Sequence, residues 1–320
     1  MYTFINSGEN EVLEDDSMSV LTENPKNEFS NTKILLEAIQ QRRSIRNYSD
    51  KPIPQEIIDK INEYINSKEL MSGPFGIRFK IVVLQKKMGD APGTYGYIKN
   101  APAVLAGVAN YEKYTLFELA FVFHRLVLYL VSQGLQTCWV GASFKHDDIV
   151  EAGGVEENEI VPAIAFFGYQ KVNENGKRQK HTFEKIMLRG LKPHNRHPFE
   201  EFGCLHDFST PLTEETAGIF AEALNIAKLA PSAQNKQSWR VVVDDDSTIH
   251  FYVEKQLMHM VGKGFRKYAC PPEYIENGIF ACHFAIYMKD KGIDGHFVIA
   301  DPNIPLPTNN HEYMVSWKKN

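Results

Sequence analysis

"VLYLVSQGLQTCWV", Val127–Val140, reads as the end of an apolar helix, a glycine stop and a short strand. The same order returns at Ala285–Val298 as "AIYMKDKGIDGHFV", with Gly292 in the place of Gly134. Ahead of each copy lies a β-branched strand, "FKIVV" at Phe79–Val83 and "WRVVV" at Trp239–Val243. Helix, turn, strand, long apolar helix, glycine and strand therefore occur twice. The period is too long for a solenoid. Two copies of one domain fold, packed about a pseudo-twofold axis, fit it better.

Working outward, Ile34, Leu35, Ala38 and Ile39 have helical spacing in "TKILLEAIQQRRS". Ile57, Ile58, Ile61 and Ile65 repeat it behind Pro54, which suits a helix start. "APAVLAGVA" and "VPAIAFFGYQ" read as buried strands. Leu116–Gln133 reads as a long core helix: Glu118, His124 and Arg125 interrupt it before the roughly 20 apolar residues of a membrane span are reached. In the second half, "TEETAGIFAEALNIAKLA" predicts one amphipathic helix capped by Thr213. "SWRVVVDD" and "TIHFYVE" predict a hairpin. The divisions that follow are a polar, acidic arm at 1–31, a first half at 32–175, a connector at 176–211 with a short helix near Phe183–Leu188, and a second half at 212–320.

The chain has 320 residues and a net charge of −5, which argues against a nucleic-acid binder. Its first residues lack a basic region followed by an apolar run, so no signal peptide is read there. Cys138, Cys204, Cys270 and Cys282 are scattered with no CxxC pair, and reduced thiols in a cytoplasmic protein are the simpler reading.

Two polar clusters carry the chemistry. Arg42, Arg43 and Arg46 flank Ser44 just past a helix end. Guanidinium forks suit phosphate oxygens, although the same cluster would also serve as a solvated face complementing the helix dipole. Pro231, Ser232, Ala233, Gln234, Asn235 and Gln237 place a serine and side-chain amides on one turn. Amides bond a heteroaromatic edge, or simply satisfy the backbone of their own loop. His124 and His283 lie on apolar helices and read as core histidines.

Taken together, "AIQQRRSIRNYSDKPIPQEIIDKI", "KNAPAVLAGVA", "GLQTCWVG", "NRHPFEEF" and "APSAQNKQSWRVVV" resemble the nitroreductase family of FMN-dependent oxidoreductases, in its fused branch. The resemblance runs from about residue 33 to the end of the second half. It implies an α+β nitroreductase-like fold whose two tandem half-domains form an intramolecular pseudo-dimer. In the ordinary family each flavin takes the arginine–serine motif from one subunit and the proline–serine–asparagine turn from its partner. Here the family's spacing, counted on from Ser44, reaches Ser72, where Gly73, Pro74 and Phe75 replace the amide turn. The second half keeps the turn and lacks the arginines. One complete FMN site per chain is the expectation.

Residue by residue, the resemblance assigns Arg42, Arg43, Ser44, Arg46 and Arg196 to the phosphate. Gly141 and Ala142 match the loop that faces the flavin's reactive nitrogen, and Gly93–Gly96 fall where a ring contact is expected. Pro231, Ser232, Ala233 and Asn235 would line the ring edge, with Gln237 and Trp239 supporting the turn. The implied activity passes hydride from a visiting NAD(P)H to a small electron-poor acceptor, in a monomer with no membrane or metal. A flavin-binding module without turnover, or a specialised flavin reductase or dehalogenase, would use the same site.

Overall fold

The computed structural model describes residues 2–3, 28–86, 94, 96–141, 144–188, 195–255 and 270–320. In chain order the elements of the first half are β1 (Tyr2–Thr3), α1 (Thr32–Gln41), α2 (Gln55–Asn66), β2 (Lys80–Lys86), β3 (Ala103–Asn110), α3 (Lys113–Ser132), β4 (Gln136–Val140), α4 (His146–Gly153), β5 (Glu159–Ile160) and β6 (Ile164–Gly168). The connector carries α5 (Thr182–Leu188), α6 (Phe199–Phe202) and β7 (Gly203–Leu205). The second half holds α7 (Ala221–Ala227), β8 (Trp239–Asp245), β9 (Thr248–Glu254), α8 (Pro272–Asp290), β10 (Gly295–Val298) and β11 (His311–Lys319).

Each half builds its own sheet. The first runs β1-β2-β3-β6-β4, with β5 added to the end of β3. Every residue of β3 except Asn110 is buried, because helices cover one face and a second cluster around Tyr48, Phe144 and Phe166 covers the other. The second sheet runs β10-β11-β9-β8-β7 and is antiparallel except where β7 joins β8. Neither β7 nor β11 was expected from the sequence.

The two long helices meet between the sheets. α3 is long and apolar enough to cross a membrane by composition, but 89% of its most apolar stretch lies buried inside the protein. At Gly278 of α8 a Cβ would stand 2.3 Å from the Phe117 carbonyl oxygen of α3, so the backbones touch there. Both helices stop at a left-handed glycine, Gly134 at φ 78° and Gly292 at φ 66°. The core is continuous across the halves: Phe297 of β10 packs edge-on against Phe117 and Phe121 of α3.

The single helix expected from Thr213 to Ala230 is not present as such. Thr213 and Thr216 cap one another's N–H groups through their hydroxyls, as a helix start would. Gly218 then adopts φ 53°, and its Cβ position would collide with Asp246 at 2.7 Å. The chain restarts as a 3-10 turn at Gly218–Phe220 before α7. The apolar periodicity survived this kink, so spacing alone did not reveal it.

Candidate active site

α1 delivers the arginines. Asn31 caps its start by accepting from the Ile34 N–H, and the stripe Leu35, Ala38 and Ile39 is buried. Arg42 is the first residue beyond the helix; its N–H still bonds the Ala38 carbonyl. The chain then crosses the end of the first sheet, where Ile45 N–H bonds the Thr137 carbonyl of β4 at 3.0 Å. That bond anchors the motif to the start of β4, the strand that Gly141 follows at its other end. Ala142, Gly93 and Tyr95 lie outside the described residues.

Arg42 is only 5% exposed, and its Nε and Nη1 have no partner among the described residues. Burial, with Arg196 next, pulls its pKa down to about 10. Arg196 is lowered in turn by burial and by Arg43. Arg42, Arg43 and Arg196 thus lie near enough to raise the cost of one another's charge. A buried unpaired guanidinium costs several kcal/mol unless an anion meets it.

Arg196 links this group to the amide turn. Its Nη1 donates to Asn235 Oδ1 at 3.1 Å and its Nη2 to the Leu229 carbonyl at 3.3 Å. Asn235 Nδ2 donates to the Asn195 carbonyl. Gln237 is 2% exposed; its Oε1 accepts from the His197 N–H at 3.0 Å, so it braces the turn against the connector. Trp239, fully buried, stacks on Phe280. Gln234, Asn235 and Gln237 all have φ between 50° and 59°. Left-handed backbone costs a non-glycine residue about 1 kcal/mol or more, and such strain concentrates at ligand clamps. Pro231 and Ser232 are half-buried and Ala233 is exposed on this turn.

Arg46 does not join the group. Its guanidinium lies over the Tyr97 ring at 4.9 Å and pairs with Glu184 at 3.8 Å. Arg178 also pairs with the fully buried Glu184 and donates to the Ser44 carbonyl at 3.0 Å. The connector therefore holds the arginine–serine motif from outside. Nothing in the sequence singled out Arg178 or Glu184, because the contact spans 134 residues.

Behind the site, His124 of α3 and His283 of α8 meet Nε2 to Nε2 at 2.9 Å, both fully buried. The Trp139 indole N–H, which can only donate, reaches His124 Nδ1 at 3.3 Å. His124 therefore carries its proton on Nε2 and donates it to His283, whose Nδ1–H faces the Ile226 carbonyl at 3.3 Å. The chain of bonds is satisfied with both rings neutral. Burial and Arg42 hold His283 down at about 3, and burial and His283 depress His124. These are core histidines, and they tie β4, α3, α8 and α7 together.

A family model described as "Putative TM nitroreductase" matches residues 34–288. A protein of Methanothermobacter thermautotrophicus named "Putative NADH dehydrogenase/NAD(P)H nitroreductase" is 30% identical over 156 residues, covering 43% of this chain and 78% of that one. The crystal structure of a "putative nitroreductase" from Thermotoga maritima superposes with a TM-score of 0.55 at 18% identity, covering 89% of this chain and 93% of its own. An "FMN-dependent Nitroreductase" from Clostridium difficile R20291 covers 49% of this chain and 98% of its own, at 20% identity and a TM-score of 0.35.

Proposed function

The chain belongs to the "Putative TM nitroreductase" family, and from that premise we propose that it is an FMN-dependent oxidoreductase with one flavin site between its halves. It takes hydride from NAD(P)H and passes it to an electron-poor acceptor such as a quinone or nitroaromatic. The donor follows the name of the Methanothermobacter relative.

The observation that carries the proposal is Arg42. Among the described residues two nitrogens of its buried guanidinium have no partner; Arg43 and Arg196 lie near it, and Arg196 is bonded to the amide turn. A phosphate on a planar, hydrogen-bonding ring system matches both parts. Arg42, Arg43, Ser44 and Arg196 would hold the phosphate; Gly141, Ala142, Pro231, Ser232, Ala233 and Asn235 would face the ring. Arg46, held by Glu184 and Tyr97, would contribute its charge from behind. FMN, when bound, supplies the two-electron chemistry. The chain's own residues bind, orient and shield it.

Matching features support an intramolecular pseudo-dimer divided near residues 32–175 and 212–320. Both long helices end at left-handed glycines. Both also carry a glutamate, Glu118 or Glu276, that accepts from the N–H of Gly73 or Ala233 on its own half's turn. On this reading the chain acts as a cytoplasmic monomer.

The test is a visible absorbance spectrum after incubation with FMN and gel filtration, followed by NADH and NADPH oxidation with menadione or nitrofurazone. Protein that retains no FMN defeats the proposal. Protein that holds FMN but oxidises neither nucleotide is a flavin-binding module instead.

A further inference from the structure

The two turns rest on equivalent posts in different ways. In the first half, Gly73, Phe75 and Ile77 all donate their backbone N–H groups to the Glu118 carboxylate at 3.1–3.3 Å. The turn is wrapped around its glutamate. A Cβ at Gly73 would stand 2.7 Å from Glu118 Cδ, so the wrap is close.

In the second half the matching positions behave otherwise. Ala233 N–H still donates to Glu276 Oε1, at 2.7 Å. Asn235 N–H turns to the Ser232 carbonyl, and Gln237 N–H to the Ser232 hydroxyl. The other carboxylate oxygen of Glu276 takes the Ser238 hydroxyl instead. Glu276 therefore grips the first and last residues of the segment 233–238. Everything between those ends includes the left-handed Gln234, Asn235 and Gln237. Releasing either end lets the strained segment relax, and the Asn235 side chain would leave Arg196.

From this contrast we infer that Glu276 is a positioning residue for FMN: it clamps both ends of the amide turn and so holds Asn235 and Ala233 toward the flavin, while Glu118 is a post for folding alone. The inference rests on the function proposed above. A buried carboxylate accepting from the Ala233 N–H and from both the N–H and the hydroxyl of Ser238 makes charge-assisted bonds, which suits it to hold strained backbone. Glutamine at 276 keeps part of the clamp: its Oε1 accepts from Ala233 N–H and its Nε2 donates to the Ser238 hydroxyl, but that nitrogen cannot accept from the Ser238 N–H as the carboxylate does.

The experiment measures FMN dissociation by flavin fluorescence, alongside circular dichroism and thermal midpoints, for the wild type, E276A, E276Q, S238A and E118A. E276A should weaken FMN binding at least tenfold, about 1.4 kcal/mol or more, and S238A about threefold. E276Q should fall between E276A and the wild type. E118A should lower the thermal midpoint yet keep FMN affinity within about twofold. Equal loss in E118A and E276A, or unchanged affinity in both E276A and S238A, overturns the inference. Should E276A fail to fold, S238A and E276Q decide it: wild-type affinity in both overturns it, and weakened binding in either with folding intact supports it. A wild type that binds no FMN refutes the proposed function itself, a separate outcome.

Discussion

Replacing Arg42 by methionine should make the FMN-free protein firmer and the FMN complex weaker. Methionine fills similar volume without a charge that Arg196, Arg43 and Arg46 repel. A gain of about 1–2 kcal/mol in the free protein is expected, with at least a tenfold loss of FMN affinity. Thermal unfolding with and without FMN checks both signs; a loss of free-protein stability would show that Arg42 is already satisfied. Titration gives a second test. Burial, with Glu273 adding to it, lifts Glu276 from 4.5 to about 7. Its folded form holds the proton more tightly than the unfolded chain does, so stability falls as pH rises from 4.5 to 7, by roughly 3 kcal/mol. His283, lowered from 6.5 to about 3, acts the other way: its contribution is lost as pH falls through that window. E276Q should therefore lose less stability than wild type between about pH 5 and about pH 8 in urea titrations; a parallel decline in both would exclude the raised carboxyl. At this scale local chemistry left both polar clusters open to a plain structural reading; the resemblance, and the bond that now joins Arg196 to Asn235, put them at one place. The Glu184 carboxylate that engages Arg46, and the left-handed angles of the turn, were not legible. Both depend on chain brought from far away.

Among elements, the crossing of α3 and α8 is the joint on which both halves depend. Gly278→Ala would drive a methyl against the Phe117 carbonyl and Ala120. Overpacking of this kind costs about 1–3 kcal/mol, and more where backbone must move. The urea midpoint should fall accordingly; an unchanged midpoint would mean that the helices can slide apart freely. Helices with clear apolar stripes, such as α1 and α2, were read to within a residue or two of their ends. The kink at Gly218 was missed because a glycine within a helical pattern is usually tolerated, and only contact with Asp246 betrays this one. β7 was missed because three residues leave no period to read.

For the whole molecule, the most informative signal was the repeated order of strand, long helix, glycine and strand, which the proposed reading takes as a duplication. One FMN per chain should be found by absorbance against protein concentration. Restoring amides to the first turn, Phe75→Asn with Ile77→Gln, should leave that ratio at one, because the second half offers no arginine–serine motif. A ratio of two in either protein would break the division of labour between the halves. The order of the second sheet has a consequence of another kind. β11 lies inside that sheet between β10 and β9. The sheet cannot close until β11 has joined it, and until then β9 and β10 present raw edges to other chains. Deleting His311–Lys319 would remove an interior strand rather than a dispensable edge, so the loss should be as damaging as a break in β9.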